Sequence, residues 1–183
     1  MDVRLTALVC AAALSWAGGV WAEGEQAEVI SADGQTVTKY ATMEKAVGSL
    51  TEDGCTVRML AASANVTARA PVAKSCTIDL CGHEWKSAGE HGILISPGAT
   101  VVISNGMVSG STCLFHLEGD SRLDVFDCDL RTSYLVYCDS ETASIHLQRG
   151  TVFEGTAGFT SAWGSANLRI HVYDGALQLC RLA

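Results

Sequence analysis

The 183-residue chain has no cluster of lysine and arginine. Without one it lacks the electrostatic footprint of a nucleic-acid binder or of a protein held on anionic membranes. It has no Cys-x2-Cys pair, the short spacing on which most structural zinc sites are built. It has no Gly-x-Ser-x-Gly elbow to present a nucleophilic serine. After the first 22 residues no apolar run is long enough to cross a bilayer as a helix.

Those first 22 residues follow a pattern of their own. Arg4 supplies a basic start and Leu5 to Ala17 an apolar stretch. Val20-Trp21-Ala22 fits a small-x-small cleavage site, with Glu23 as the first mature residue. A lipoprotein signal at Cys10 is the rival, but Cys10 lies too near the start and follows bulky Val9. The prediction is a signal peptide over 1–22 and a secreted, periplasmic or cell-surface protein with no transmembrane segment after cleavage. Arg4 and Asp2 leave together, so the mature chain keeps a net charge of −8. That acidity suits solubility or divalent cations. Seven of the eight cysteines survive cleavage, and an odd number leaves at least one thiol unpaired within the chain.

A repeat organises the rest. Apolar pairs Val57/Met59, Ile78/Leu80, Val101/Ile103, Leu123/Val125, Ile145/Leu147 and Leu168/Ile170 recur about every 22 residues. Two positions before each pair stands a small residue: Cys55, Cys76, Ala99, Ser121, Ala143 and Ala166. The residues between are mostly polar. Alternation with period two marks a half-buried strand, and a strand returning at a constant interval stacks on itself. Trp85, Val108, Leu130 and Val152 form a second column. Ile93/Ile95, Phe115/Leu117, Leu135/Tyr137 and Phe159 form a looser third. Gly82, Asn105-Gly106, Asp127, Gly150 and Asp174-Gly175 supply the corners. A β-sandwich also has short strands and turns, but it requires neither a constant period nor a small-residue column. Before the first strand, Met43, Ala46, Val47 and Leu50 lie at helical spacing behind Thr42 as N-cap. This helix is expected to cover the open N-terminal end of the solenoid. The C-terminal end is expected to be open, covered by Leu177-Gln178-Leu179, or used for assembly.

The segments "YATMEKAVGSL", "GCTVRML", "CTIDLCGHEW" and "GATVVISNGMVSGS" resemble the start of secreted right-handed parallel β-helix proteins of the pectate-lyase-like superfamily. The family form is a tyrosine-led capping helix, a Gly-x-Thr-Val-x-Leu strand and a Thr-Ile-Asp-Leu-Asn-Gly turn. Cys81 stands where that turn has Asn. The resemblance covers residues 36 to 175. With the six repeat copies it implies an all-β, right-handed parallel β-helix of about six rungs, and with the leader pattern the chain divides into signal peptide 1–22, N-terminal segment and capping helix 23–54, and β-helix 55–183. It says less about activity, because the superfamily holds lyases, hydrolases, adhesins and proteins without known activity.

A pectate lyase gathers Ca²⁺-binding carboxylates and a basic residue on one outward groove. The candidates are Asp79, Asp124 and Asp127 with Arg122 for catalysis, and Asp124, Asp127 and Asp129 for Ca²⁺. Arg131 and Arg169 are further bases or clamps. Asp79 and Asp124 fall in one outward column with Val102 between them, nearly 10 Å apart at about 4.8 Å per strand. The Gly-His-Gly and Arg-x-Lys elements of inverting hydrolases are missing. Cys76, Cys81, His83 and His91 lie close in sequence at gaps of four, one and seven residues. Cys76 has inward parity and Cys81 outward parity, so the thiols diverge and zinc is not expected. Cys55 and Cys76 are adjacent inward residues, either a disulfide or two small buried hydrophobes. Trp163, Tyr134 and Tyr173 are candidate sugar-stacking side chains, with Trp163 foremost, while Trp85 belongs to the core. The expected function is non-catalytic recognition of polysaccharide or another surface ligand. The alternatives are a small lyase or hydrolase on acidic glycans, or a module assembling through its C-terminal end. No cofactor is implied beyond Ca²⁺.

Overall fold

The computed structural model describes residues 24–64, 70–87, 92–110, 112–138, 140–160, 169–173 and 177–180. They form an all-β parallel solenoid of about four turns, with coils of about 22 residues. The first side stacks β3 (Cys55–Met59), β6 (Cys76–Asp79), the start of β9 (Thr100–Ser109) and the start of β11 (Arg122–Cys138). β12 (Ser144–Leu147) and β14 (Arg169–Val172) continue it. The second side stacks β4 (Ser63–Ala64), β7 (Glu84–Lys86), the end of β9, the middle of β11, β13 (Val152–Thr160) and β15 (Leu177–Cys180). The third side holds β5 (Ala70–Val72), β8 (Ile93–Ile95), β10 (Cys113–Leu117) and the ends of β11 and β13. Six rungs were expected. Six strand segments do stack on the first side, but the first and last coils are incomplete among the described residues.

The core is built from inward ladders. Val57, Ile78, Ile103, Val125 and Leu147 lie one above another and are buried, as are Cys55, Cys76, Val101, Leu123 and Ile145. Each such apolar side chain contributes roughly 1.5–3 kcal/mol on burial.

The observed register departs from the expected columns in four places. Ile78 pairs with Ile103, not Val101, because the coil from Cys76 to its partner Val101 is two residues longer than expected. Ile145 pairs with Ile170, not Leu168. Both shifts are by two, which leaves every inward residue inward. On the second side Leu130 pairs with buried Phe153, not Val152. On the third, Phe115 and Leu117 pair with Val136 and Cys138, not with Leu135 and Tyr137.

The N-terminal end is closed twice. The helix α1 (Met43–Gly48) starts at Thr42, whose hydroxyl accepts from the Lys45 N–H at 3.2 Å. It buries Met43, Ala46 and Val47. A hairpin of β1 (Ala27–Ile30) and β2 (Val37–Tyr40), not foreseen from the sequence, pairs antiparallel through β1 with β3. It occupies the edge that β3 would otherwise expose to other chains. At the far end, among the described residues, β14 pairs only with β12, and β15 only with β13. Leu177–Cys180 is thus a strand stacked on the second side. No helix among the described residues is long and apolar enough to cross a membrane.

The first corner is a stack of left-handed residues: Cys81 (φ 51°), Asn105 (φ 62°) and Asp127 (φ 47°). Asn and Asp tolerate this conformation; Cys81 bears a cost of about 1–2 kcal/mol. Beside it, a Cβ on Gly106 would lie 2.5 Å from Leu80 Cβ and 2.6 Å from the His83 carbonyl oxygen. Gly106→Ala is expected to cost about 1–3 kcal/mol through overpacking, read as a lower midpoint in urea unfolding; an unchanged midpoint refutes the tight corner. Inside the solenoid, Ser121 is fully buried between Ala99 and Ala143 and its hydroxyl has no hydrogen-bond partner among the described residues. Ser121→Ala should stabilise the fold by about 1 kcal/mol, measurable as a rise in thermal midpoint of roughly 2–4 °C.

Candidate functional site

Two polar ladders run across the outer face of the first side. One is Thr100–Arg122–Ser144–Arg169, the other Val102–Asp124–His146–His171. Alternation turns both outward, and parallel stacking places their members about 4.8 Å apart. Asp124 is only 6 % exposed, and Arg122 grips it with two bonds, Nε to Oδ2 at 2.7 Å and Nη2 to Oδ1 at 2.9 Å. Gln148 Nε2 donates to Oδ1 at 3.3 Å. Burial pushes the Asp124 carboxyl up, but the Arg122 bonds and charge outweigh it and hold the pKa below the ordinary 3.8. His146 Nδ1 lies 3.1 Å from the Tyr173 hydroxyl and Nε2 lies 3.3 Å from Ser144 Oγ. Its ring stacks on His171 with centroids 4.4 Å apart, and Tyr173 stacks at 5.9 Å. Burial, followed by the Arg122 charge, holds the His146 pKa below 6.5.

A separate groove of about 690 Å³ follows the second corner, where the second side meets the third. The register puts Lys86, Ser109, Arg131 and Glu154 in one ladder along it. Thr132 and Thr156 add hydroxyls. Ser87 lines the same groove; its side chain is 3 % exposed and its hydroxyl has no hydrogen-bond partner among the described residues. A buried unpaired hydroxyl costs about 1–3 kcal/mol unless something supplies a partner. Of these groove residues, only Arg131 was singled out in the sequence. Ser87 carries no local signal, because its burial beside Gly110 and Ser109 of the next coil depends on the stacking of coils.

The carboxylates proposed for Ca²⁺ are not brought together. Asp124 lies on the first side, committed to Arg122. Asp127 is at the corner, its Oδ1 filling the space over Gly150. Asp129 lies on the second side, 3.5 Å from Arg131. Asp79 is not in the Asp124 column: it pairs with Ser104, and Asp124 with Val102. The two are two strands and two residues apart, on the order of 12 Å. Asp79 Oδ1 accepts from the Cys81 N–H at 2.9 Å and from Asn105 Nδ2 at 3.2 Å, bracing the corner. Among the described residues no three His, Cys, Asp or Glu side chains converge as metal ligands.

The aromatic candidates also separate. Tyr173 is 45 % exposed on the first side, while Tyr134 is half-buried where the third side begins. Trp163 and His91 lie outside the described residues. Cys55 and Cys76 are partners in register, but both are free thiols. In-register parallel neighbours project their Cβ atoms the same way, which does not suit the near-perpendicular disulfide dihedral. Burial pushes the Cys76 pKa up to about 12, so it packs as a small hydrophobe.

Compared with protein-family models, curated proteins and solved structures, the chain has no significant match. Its class is set by its own architecture, that of an all-β solenoid.

The Arg122–Asp124 pair gives a pH test. The folded carboxyl titrates below 3.8, so its stabilisation is complete above that pH and is lost as pH falls through the folded value. Asp124→Asn should cost about 1–2 kcal/mol at pH 7, discounted for the half-exposed arginine. The gap should close toward pH 2 in urea unfolding; a gap independent of pH sinks the ion-pair account.

Proposed function

We propose that this is an exported or cell-surface β-solenoid that recognises a polysaccharide along its second-corner groove without altering it. The observation that carries this is the Ser87 hydroxyl, unpaired among the described residues, in a groove rich in hydroxyls. Lys86 and Arg131 stand there with Glu84, Asp129 and Glu154 close by. Donors and acceptors are thus mixed without a surplus of positive charge, which suits the hydroxyl groups of a neutral sugar better than an anion. The ladder repeats its polar groups at the strand spacing, which favours an extended polymer over a compact ligand. The signal-like 1–22 segment supports export. The sequence resemblance supports a place in the pectate-lyase-like superfamily, and fold analogy of that kind bears on glycans in general and not on one substrate.

A glycan array with the full chain, followed by calorimetry on the best neutral hit, tests this. Ser87→Ala and Arg131→Ala should each weaken binding by about 5- to 30-fold, the cost of one hydrogen bond of about 1–2 kcal/mol. Ser87→Ala should at the same time stabilise the empty protein. An array without hits, or affinity untouched in both variants, ends the proposal.

A further inference from the structure

The first-side ladders carry an arrangement that glycan recognition in the groove does not use. Ser144 and His146 alternate outward on β12, with Oγ 3.3 Å from Nε2. The other ring nitrogen, Nδ1, meets the Tyr173 hydroxyl at 3.1 Å. Stacking on His171, nearly parallel at 12°, restrains the ring plane. Ser144 is half-buried and open to the face. Its register neighbours on the flanking strands are Arg122 and Arg169. A hydroxyl on one nitrogen of an imidazole, an orienting group on the other and cationic donors on both sides are the parts of nucleophilic acyl transfer.

We propose that Ser144, His146 and Tyr173 form a hydrolytic relay acting on short-chain carboxylic esters. His146 Nδ1–H donates to the Tyr173 oxygen, which leaves Nε2 to accept the Ser144 proton. Ser144 Oγ attacks the ester carbonyl carbon as its proton passes to Nε2. The negative charge on the carbonyl oxygen falls between the Arg122 and Arg169 guanidinium groups. The carbon–oxygen bond to the alcohol breaks, and the alcohol leaves with the proton from Nε2. Water then attacks the acyl-serine, giving a proton to Nε2; Oγ leaves, regains that proton and releases the carboxylic acid. No oxidant or metal enters the balance. Ser144 and His146 are the catalytic residues, and Tyr173 is a positioning residue. The acyl group is short, acetyl being the type, because the register neighbours of Ser144 are Arg122 and Arg169 and its neighbour along the strand, His146, pairs with Asp124, so polar groups border it on three sides.

The ionisable groups facing His146 are Arg122 and Asp124 from β11, and Arg169, His171 and Tyr173 from β14 and its end. Asp124 is neutralised by Arg122, so the local surplus is positive and favours the neutral ring. Hydrolysis should therefore rise as pH climbs through the lowered His146 pKa and level off above 6.5.

The test is to treat the full chain with a fluorophosphonate probe, map the adduct by mass spectrometry, and follow 4-nitrophenyl acetate hydrolysis from pH 4 to 9. The expected result is an adduct on Ser144 that is lost in Ser144→Ala and reduced at least 10-fold in His146→Gln. Tyr173→Phe should lower kcat more than it changes KM. All three substituted positions are on the outer side of the first sheet face, and circular dichroism verifies that each variant is folded. No adduct on Ser144, or one that survives intact in folded His146→Gln, overturns the proposal. So does a hydrolysis rate that ignores pH between 4 and 7. Array results for the groove do not enter either outcome.

Discussion

Every feature of this molecule depends on in-register parallel stacking. Each coil returns the chain to a strand about 4.8 Å from the previous one. An inward residue therefore meets the equivalent residue above and below. Val57, Ile78, Ile103, Val125 and Leu147 make one continuous apolar ladder this way. A single coil has no interior of its own, so burial and backbone pairing come only from its neighbours. The same constraint stacks the corners. Asp79, Cys81 and Asn105 brace one another because the left-handed residues of successive coils coincide.

Stacking also explains the ends and the outer surface. A stacked sheet always leaves an edge, and at the N-terminal side β1 takes it by pairing antiparallel with β3. On the outer faces the rule that builds the core assembles polar groups instead. Arg122 reaches Asp124 along one strand, while Ser144 comes between Arg122 and Arg169 across strands. The groove ladder Lys86–Ser109–Arg131–Glu154 arises in the same manner. Chemistry on this fold is assembled across coils, one residue from each.

Much of the fold was legible in the sequence. The 22-residue return of small and apolar residues showed the solenoid, and Thr42 with Met43, Ala46 and Val47 showed the helix. The hairpin of β1 and β2 was not legible, because Val37 to Lys39 are exposed and have no apolar period. The candidate site was partly legible. Arg122, Asp124 and Tyr173 were singled out, but His146, His171 and Ser144 were not connected to them. Two long connections, between Cys76 and Val101 and between Ile145 and Ile170, shifted the register by two. A shift by two preserves the alternation, so no hydrophobic pattern betrays it.

The sequence by itself determined which residues face in and which face out on the first side, and where the first corner turns. Those properties follow from local alternation and from the backbone freedom of Gly, Asn and Asp. Only the tertiary structure decided which outward residues are neighbours. It placed His171 on His146 and Arg169 beside Ser144, moved Asp79 out of the Asp124 column, and buried the Ser87 hydroxyl with no partner among the described residues. Those relations depend on the length of each connection and on packing between coils, quantities that no single strand encodes.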